Sequence, residues 1–325
     1  MLRAAFKGQE IIVLSCTIVI VVLLSVFLNG FLTIENISNL LMRVAILGIL
    51  GVGLAVVVIG RGLDLSIVAN MVVSVGLVVQ LLRDGHSPQV AIATGLCMAL
   101  LTGFVNGWLV AFVEVPALFA TLATGILVTG GSRLFLLSND IQYLPESGRI
   151  INALGLTNFL GLPLAVWSFF LVLVLGAILL TTTRVGRILY AMGANPEAAK
   201  LAGLPVRPIT LISYTLCGGT AFVAGIIMLG NVSSVNVNVA QGTMVFDVIL
   251  VVILGGISLV GGRGSMLSVI IGTLLIGTIL NGMTIMNINN DVQNIVKGFV
   301  LLAAILIDGF LHPFDEETAR QGETM

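Results

Sequence analysis

Charge is what this sequence has least of: Asp, Glu, Lys and Arg make up 9% of its 325 residues, against about a quarter in ordinary soluble domains. With 58% hydrophobic residues and a mean hydropathy of +1.16, a water-soluble fold has no means of hiding the apolar surface. The formal net charge of −1 implies no nucleic acid and no strongly acidic partner. Cysteine is nearly absent. Cys16, Cys97 and Cys217 are scattered singly through apolar runs, which excludes a disulfide framework or thiolate metal site and predicts buried, unreactive thiols. The two histidines, His86 and His312, have no His-Glu-x-x-His spacing and no Ser-His-Asp set around them, so metal-dependent and triad hydrolysis are excluded and no catalytic residue is assigned. The glycine-rich stretch Gly255 to Gly264 holds no lysine, so it cannot cradle phosphates as a P-loop does. Energy for any driven process must come from another chain.

What the sequence does have is apolar runs of roughly twenty residues along almost its whole length, each able to cross ~30 Å of hydrocarbon as a helix. A membrane barrel would alternate apolar and polar residues, whereas Val245 to Leu254 is apolar on every side except Asp247. The fold class expected is all-α, a single polytopic bundle over residues 1–325. Ten candidate spans begin near Ile11, Ile37, Leu65, Gln89, Pro116, Leu164, Pro208, Thr243, Ser265 and Gln293. The first, Ile11 to Leu28, follows Arg3 and Lys7 but outruns a signal-peptide core and meets no small-residue cleavage site, so it is read as a span.

Lys and Arg accumulate in cytoplasmic loops. With both termini cytoplasmic, the inner side holds Arg3, Lys7, Arg61, Arg184, Arg187, Lys200, Arg207, Arg263 and Arg320, and the outer side Arg43, Arg83, Arg133, Arg149 and Lys297. Nine of the fourteen basic residues thus fall inside. The inner loop at about 183–207 and an outer loop at about 138–163, the latter expected to hold a short interfacial helix, are the longest connections.

The inner loop carries helix signals. Asn195 is a good N-cap, Pro196 suits the first helical position, Glu197 faces the positive end of the dipole and Gly203 can take a left-handed C-cap. Two turns are too few to persist alone in water. Ala198, Leu201 and Ala202 form one small apolar face, with Lys200 solvated; the face fits a groove on a partner or a seat on its own chain.

Polar residues inside apolar runs are candidates for a wet pathway or for packing between helices. Asp64 follows Arg61 at a spacing that would pair them on a helix, and Asp247 and Lys297, each about one turn into a span, are expected to pair. Ser66, Asn70, Asn106, Thr121, Thr124, Ser258 and Asn281 are neutral. Gly103-x3-Gly107 and Ala221-x3-Gly225 let helices approach closely, Gly255-Gly256 and Gly261-Gly262 are candidate hinges, and the Asn-Gly pairs at Asn106 and Asn281 hint at an inverted repeat.

The run Gly186-Arg187-x3-Ala-x-Gly193-x-Asn195-x2-Ala198-Ala199-x2-Ala-Gly203 resembles the coupling loop of the ribose-type family of ABC importer permeases. Gly62-Leu-Asp64-Leu-Ser66, Asn106-Gly107 with Pro116-x4-Thr121-Leu-x-Thr124, Leu254-Gly255-Gly256-x-Ser258-Leu-x-Gly261-Gly262-Arg-Gly-Ser265, Asn281-Gly282 and Ile295-Val-Lys-Gly298 follow the family's order. The family usually has Gly where Arg61 stands and Val-Gly where this chain has Ile67-Val68. The resemblance implies a permease that pairs with a second copy or a paralogue and receives a monosaccharide or other small polar solute from a periplasmic binding protein. It also implies a drive by ATP and Mg²⁺ on a cytoplasmic ATPase docked at Gly186 to Gly203, in a bacterial inner membrane, with no cofactor on this chain. A secondary transporter or channel, or an importer of a non-sugar solute such as an amino acid, is the other reading the residues admit.

Overall fold

A computed structural model of the chain describes residues 8–135 and 140–311. Arg3, Lys7, His312, Arg320, the acidic residues Asp315 to Glu317 and the start of the outer loop at Ser138 lie outside the described residues. Ten longer helices begin within a few residues of the expected span starts: α1 (Gly8–Phe27), α2 (Ile34–Ile59), α3 (Ile67–Arg83), α4 (Pro88–Ala111), α5 (Ala117–Phe135), α7 (Leu164–Thr182), α10 (Val206–Val232), α11 (Met244–Gly255), α12 (Met266–Ile285) and α13 (Asn290–Leu311). Among the described residues, seven helices are long and apolar enough to cross a membrane, whereas α3 and α11 are apolar but shorter. The 12 residues of α11 rise only about 18 Å. Its continuation is irregular backbone at Ile257 and Ser258, both buried, as non-helical chain at membrane depth must be.

Between these helices lie α6 (Arg149–Leu156), a short helix within the stretch 138–163 where one was expected, and two that project together, α8 (Arg184–Ala194) and α9 (Pro196–Leu201). Two short antiparallel pairs were not anticipated: β1 (Ile141–Tyr143) with β4 (Ser234–Asn236), and β2 (Asn158–Phe159) with β3 (Leu162–Pro163). A two- or three-residue strand in a mixed loop leaves no alternation to read.

α2 is the axis of the bundle. Every residue from Val44 to Ile59 is buried, and α7, α10, α11 and α12 pack around it. Glycines set the closest crossings. A Cβ added to Gly103 would lie 2.3 Å from the Tyr214 carbonyl oxygen, and one on Gly218 2.3 Å from that of Ala99; α4 and α10 therefore meet backbone to backbone.

The helices α2 to α5 and α10 to α13 run in opposite directions in chain order, with their first members exchanged in packing: α10 lies against α3 and α4, and α2 against α11 and α12. The α2–α3 connection lies at the end bearing α8 and α9, where the Gly262 N–H donates to the Ile59 carbonyl at 2.9 Å. The α10–α11 connection lies at the other end, where β4 pairs with β1 and Arg83, closing α3, donates to the Tyr143 carbonyl at 3.0 Å. Asn106-Gly107 falls in the third helix of the first unit and Asn281-Gly282 in the third helix of the second, in keeping with an inverted repeat.

Two expectations need correction. Cys16 and Cys97 are exposed and only Cys217 is buried, because the outer faces of α1 and α4 are as apolar as the core and a periodicity argument cannot tell them apart. No ion pair joins Arg61 to Asp64: Arg61 has φ 66° and reverses the chain, so the three-residue spacing places them on no common face. That left-handed backbone also accounts for the family's preference for Gly at this position.

Replacing Gly103 with Val should destabilise the bundle by about 1–3 kcal/mol through overpacking. Gly131→Ala, where an added Cβ meets nothing within 4 Å, should be silent; thermal unfolding in detergent measures both.

Candidate functional site

Three groups of candidate residues come together at three places. The first is the junction at the α8–α9 end. The Thr183 hydroxyl caps α8 by accepting from the Gly186 N–H at 3.2 Å, and Gly186 packs so closely that an added Cβ would sit 2.3 Å from the Leu180 carbonyl. Arg187 donates to the Thr182 carbonyl at 3.2 Å. At the other end of α8, a Cβ on Gly193 would lie 1.9 Å from the Ile59 carbonyl oxygen and 2.4 Å from the Gly262 nitrogen. Tyr190 donates to the Gly264 carbonyl at 2.9 Å, and burial pushes its phenol above the ordinary range. Gly261 and Gly262, with φ 89° and 69°, fit only because they lack side chains. Gly193 and two of the candidate hinge glycines thus form one contact, a juxtaposition no local sequence signal announces.

The expected caps of α9 are present: the Asn195 side chain accepts from the Ala198 N–H at 2.9 Å, Pro196 opens the helix and Gly203 is left-handed at φ 73°. Lys200 and Glu197 pair at 2.9 Å on the surface. Only Ala199 is buried; Ala198, Ala202 and Leu201, the last 89% exposed, face outward. The small apolar face is therefore unused by its own chain. The other candidate hinge pair is packed: a Cβ on Gly255 would lie 2.1 Å from the Ser268 carbonyl, and Gly256 closes α11 with φ 102°.

The second place is the start of α3. Asp64 accepts from the Ser66 N–H at 2.9 Å and the Ser66 hydroxyl at 2.6 Å. Asn106 donates to the Ser66 oxygen at 2.7 Å, the Leu65 N–H donates to Thr121 at 3.1 Å, and the Leu63 N–H donates to the Tyr214 hydroxyl at 3.2 Å. Asp64, Ser66, Asn106 and Thr121 are all buried. Asn70 donates to the Ala99 carbonyl instead, and Thr124 to the carbonyl of Ala120 on its own helix. Six of the expected pathway residues are thus held within packed protein in this conformation. Tyr214, the ring that closes the cluster, was missed because nothing local distinguishes it from a core aromatic.

The third place is a cavity of about 960 Å³ at the β1–β4 end, between α2, α10, α11, α12 and α13. Asp247 and Lys297, which the sequence paired by depth, meet there at 2.9 Å with side chains 8% and 15% exposed. Asn36 donates to Asn281 at 3.1 Å and Asn281 donates back at 2.9 Å. Arg43, Asn39, Gln293 and Asn294 also line it; Arg43 donates to Thr284 at 3.4 Å. The amide-rich run from Asn287 to Asn294 was the overlooked signal for this site, hidden as an ordinary polar turn.

The sequence profile of one family, described as branched-chain amino acid transport system / permease component, matches residues 36–305. The ribose import permease protein of Escherichia coli strain K12 is 32% identical over 292 residues, covering 90% of this chain and 91% of that protein. The L-arabinose transport system permease protein of the same strain is 32% identical over 294 residues (88% and 86% covered). The fructose import permease protein of Rhizobium meliloti is 31% identical over 293 residues (88% and 81%). No solved structure matches.

Removing one partner of the buried Asp247–Lys297 pair leaves the other uncompensated, so Asp247→Ala or Lys297→Ala alone should each cost about 3–5 kcal/mol. The double variant should lose much less than the sum, and unfolding of all three in one detergent gives the coupling directly.

Proposed function

The chain belongs to the branched-chain amino acid transport system / permease component family, and from that membership we propose that it is the membrane-spanning subunit of an ABC importer for a monosaccharide or related sugar. Relatives named for ribose, arabinose and fructose import match it over about nine-tenths of its length, which supports the sugar class. On this reading two permease chains, identical or paralogous, sit in the inner membrane of a bacterium with both termini and α8–α9 on the cytoplasmic side. A periplasmic binding protein delivers solute to the β1–β4 end. ATP and Mg²⁺ act on a separate ATPase, and this chain contributes no catalytic group.

The observation that carries the coupling role is the geometry of α8 and α9. An outward apolar face at Ala198, Leu201 and Ala202 offers a partner a surface its own chain leaves bare. Behind it, Gly193 touches the end of α2 and the α11–α12 connection with no side chain between. Packed interiors deform little and transmit displacement, so a push on α9 passes through α8 into both elements. The spans hold none of the clustered carboxylates and histidines of a proton relay, and a solute carrier acting alone has no use for the projecting pair.

In reconstituted vesicles, uptake should require ATP and the partner ATPase; uptake that persists without both contradicts the reading. Leu201→Asp should abolish recovery of the ATPase with the permease and lower uptake at least tenfold, while membrane insertion stays unchanged. Normal recovery of the complex would remove the coupling role from α9.

A further inference from the structure

The β1–β4-end cavity contains an unanswered acceptor. Asp247 is buried, its Oδ2 accepts from Lys297, and its Oδ1 has no hydrogen-bond partner. A buried polar atom left unpaired is costly, and Asp247 is one of the residues that line the cavity, so a donor from outside that reached this oxygen would be held there. Around it the lining is built from carboxamides: Asn36, Asn39, Gln241, Asn281, Gln293 and Asn294. Each offers both donors and an acceptor. Asn36 and Asn281 satisfy one another reciprocally, so they can exchange those bonds for equivalent ones to hydroxyls without leaving either amide bare.

We propose that this cavity is a solute site built by one chain, taking a neutral polyhydroxylated ring solute, one of whose hydroxyls donates to Asp247 Oδ1. A hydroxyl donates and accepts at once, as mixed carboxamides require. The volume of about 960 Å³ lies at the upper end of small-molecule sites. Of the three charged residues that line it, Asp247 pairs with Lys297 and Arg43 donates to Thr284, so D-glucuronate in the test below reads whether the remaining guanidinium charge selects an anion. The site rests on the import reading for its direction of use, and it adds to that reading the residues that receive the solute.

The test uses the full chain in lipid nanodiscs with Thr284→Cys as a reporter on the cavity wall, and Cys16 and Cys97 replaced by Ser. Maleimide labelling is followed with D-ribose, L-arabinose, D-fructose or D-glucuronate present. At least one neutral sugar should slow labelling tenfold or more, and Asp247→Asn should raise the sugar concentration needed at least tenfold. Unchanged protection in Asp247→Asn overturns the role of that carboxylate, and protection by glucuronate alone overturns the neutral class. In the second arm the assembled transporter carries Asn39→Trp, which fills the cavity, or Gly131→Ala as a matched control. Loss of uptake in the first with the ATPase still bound supports the site. Full uptake through Asn39→Trp places the solute elsewhere while leaving ATP-driven import intact, whereas a wild-type assembly without ATP-driven uptake sinks the import reading itself.

Discussion

One backbone carbonyl organises the α8–α9 end of this bundle. The Ile59 oxygen closes the central helix, accepts from the Gly262 N–H at 2.9 Å and stands where a Cβ on Gly193 would be. Three stretches of chain about seventy to two hundred residues apart in sequence therefore meet with no side chain to yield between them. Apolar side chains can slip past one another by hopping rotamers at little cost; a carbonyl against a glycine backbone cannot, here as at the Gly103 and Gly218 crossings of α4 and α10. The placement of α8, the bend after Arg61 and the path of the irregular segment between α11 and α12 all follow from this contact.

The polar groups divide between the two ends in a way that fits opposed helical units. Near the start of α3, Asn106, Ser66 and Asp64 are joined in one chain of hydrogen bonds and Thr121 accepts from the Leu65 N–H, all inside packed protein. Near the start of α11, Asp247, Lys297, Asn36 and Asn281 border open space. The bundle thus carries a closed polar cluster at one end and an open one, to which α2 contributes Asn36, at the other. The asymmetry arises from related helical frames packed with different loops.

Much of this was legible in the residues. Long apolar runs fixed the helices because lipid leaves the backbone no other way to satisfy itself. Asn195, Pro196 and Gly203 marked α9 because capping chemistry is local, and the Asp247–Lys297 pair could be inferred from depth alone because unpaired charge in the apolar layer is expensive. What stayed hidden was long-range. That Gly193 meets Gly262, that Tyr214 closes the Asp64 cluster, and that the amides after Asn287 face Asn36 depend on which helices become neighbours. The supposed Arg61–Asp64 pair failed for the complementary reason: a single left-handed residue breaks the periodicity on which the spacing argument relied.

The central claim is that displacement of the projecting helices reaches the membrane bundle through the side-chain-free contact at Gly193. Gly193→Val separates that step from all others, since the residue is buried and takes no part in the outward face of α9. The measurement is ATP hydrolysis and solute uptake on the same reconstituted preparation. The account predicts an assembled complex that still binds its ATPase and hydrolyses ATP while uptake falls at least tenfold; wild-type uptake per ATP hydrolysed would contradict it.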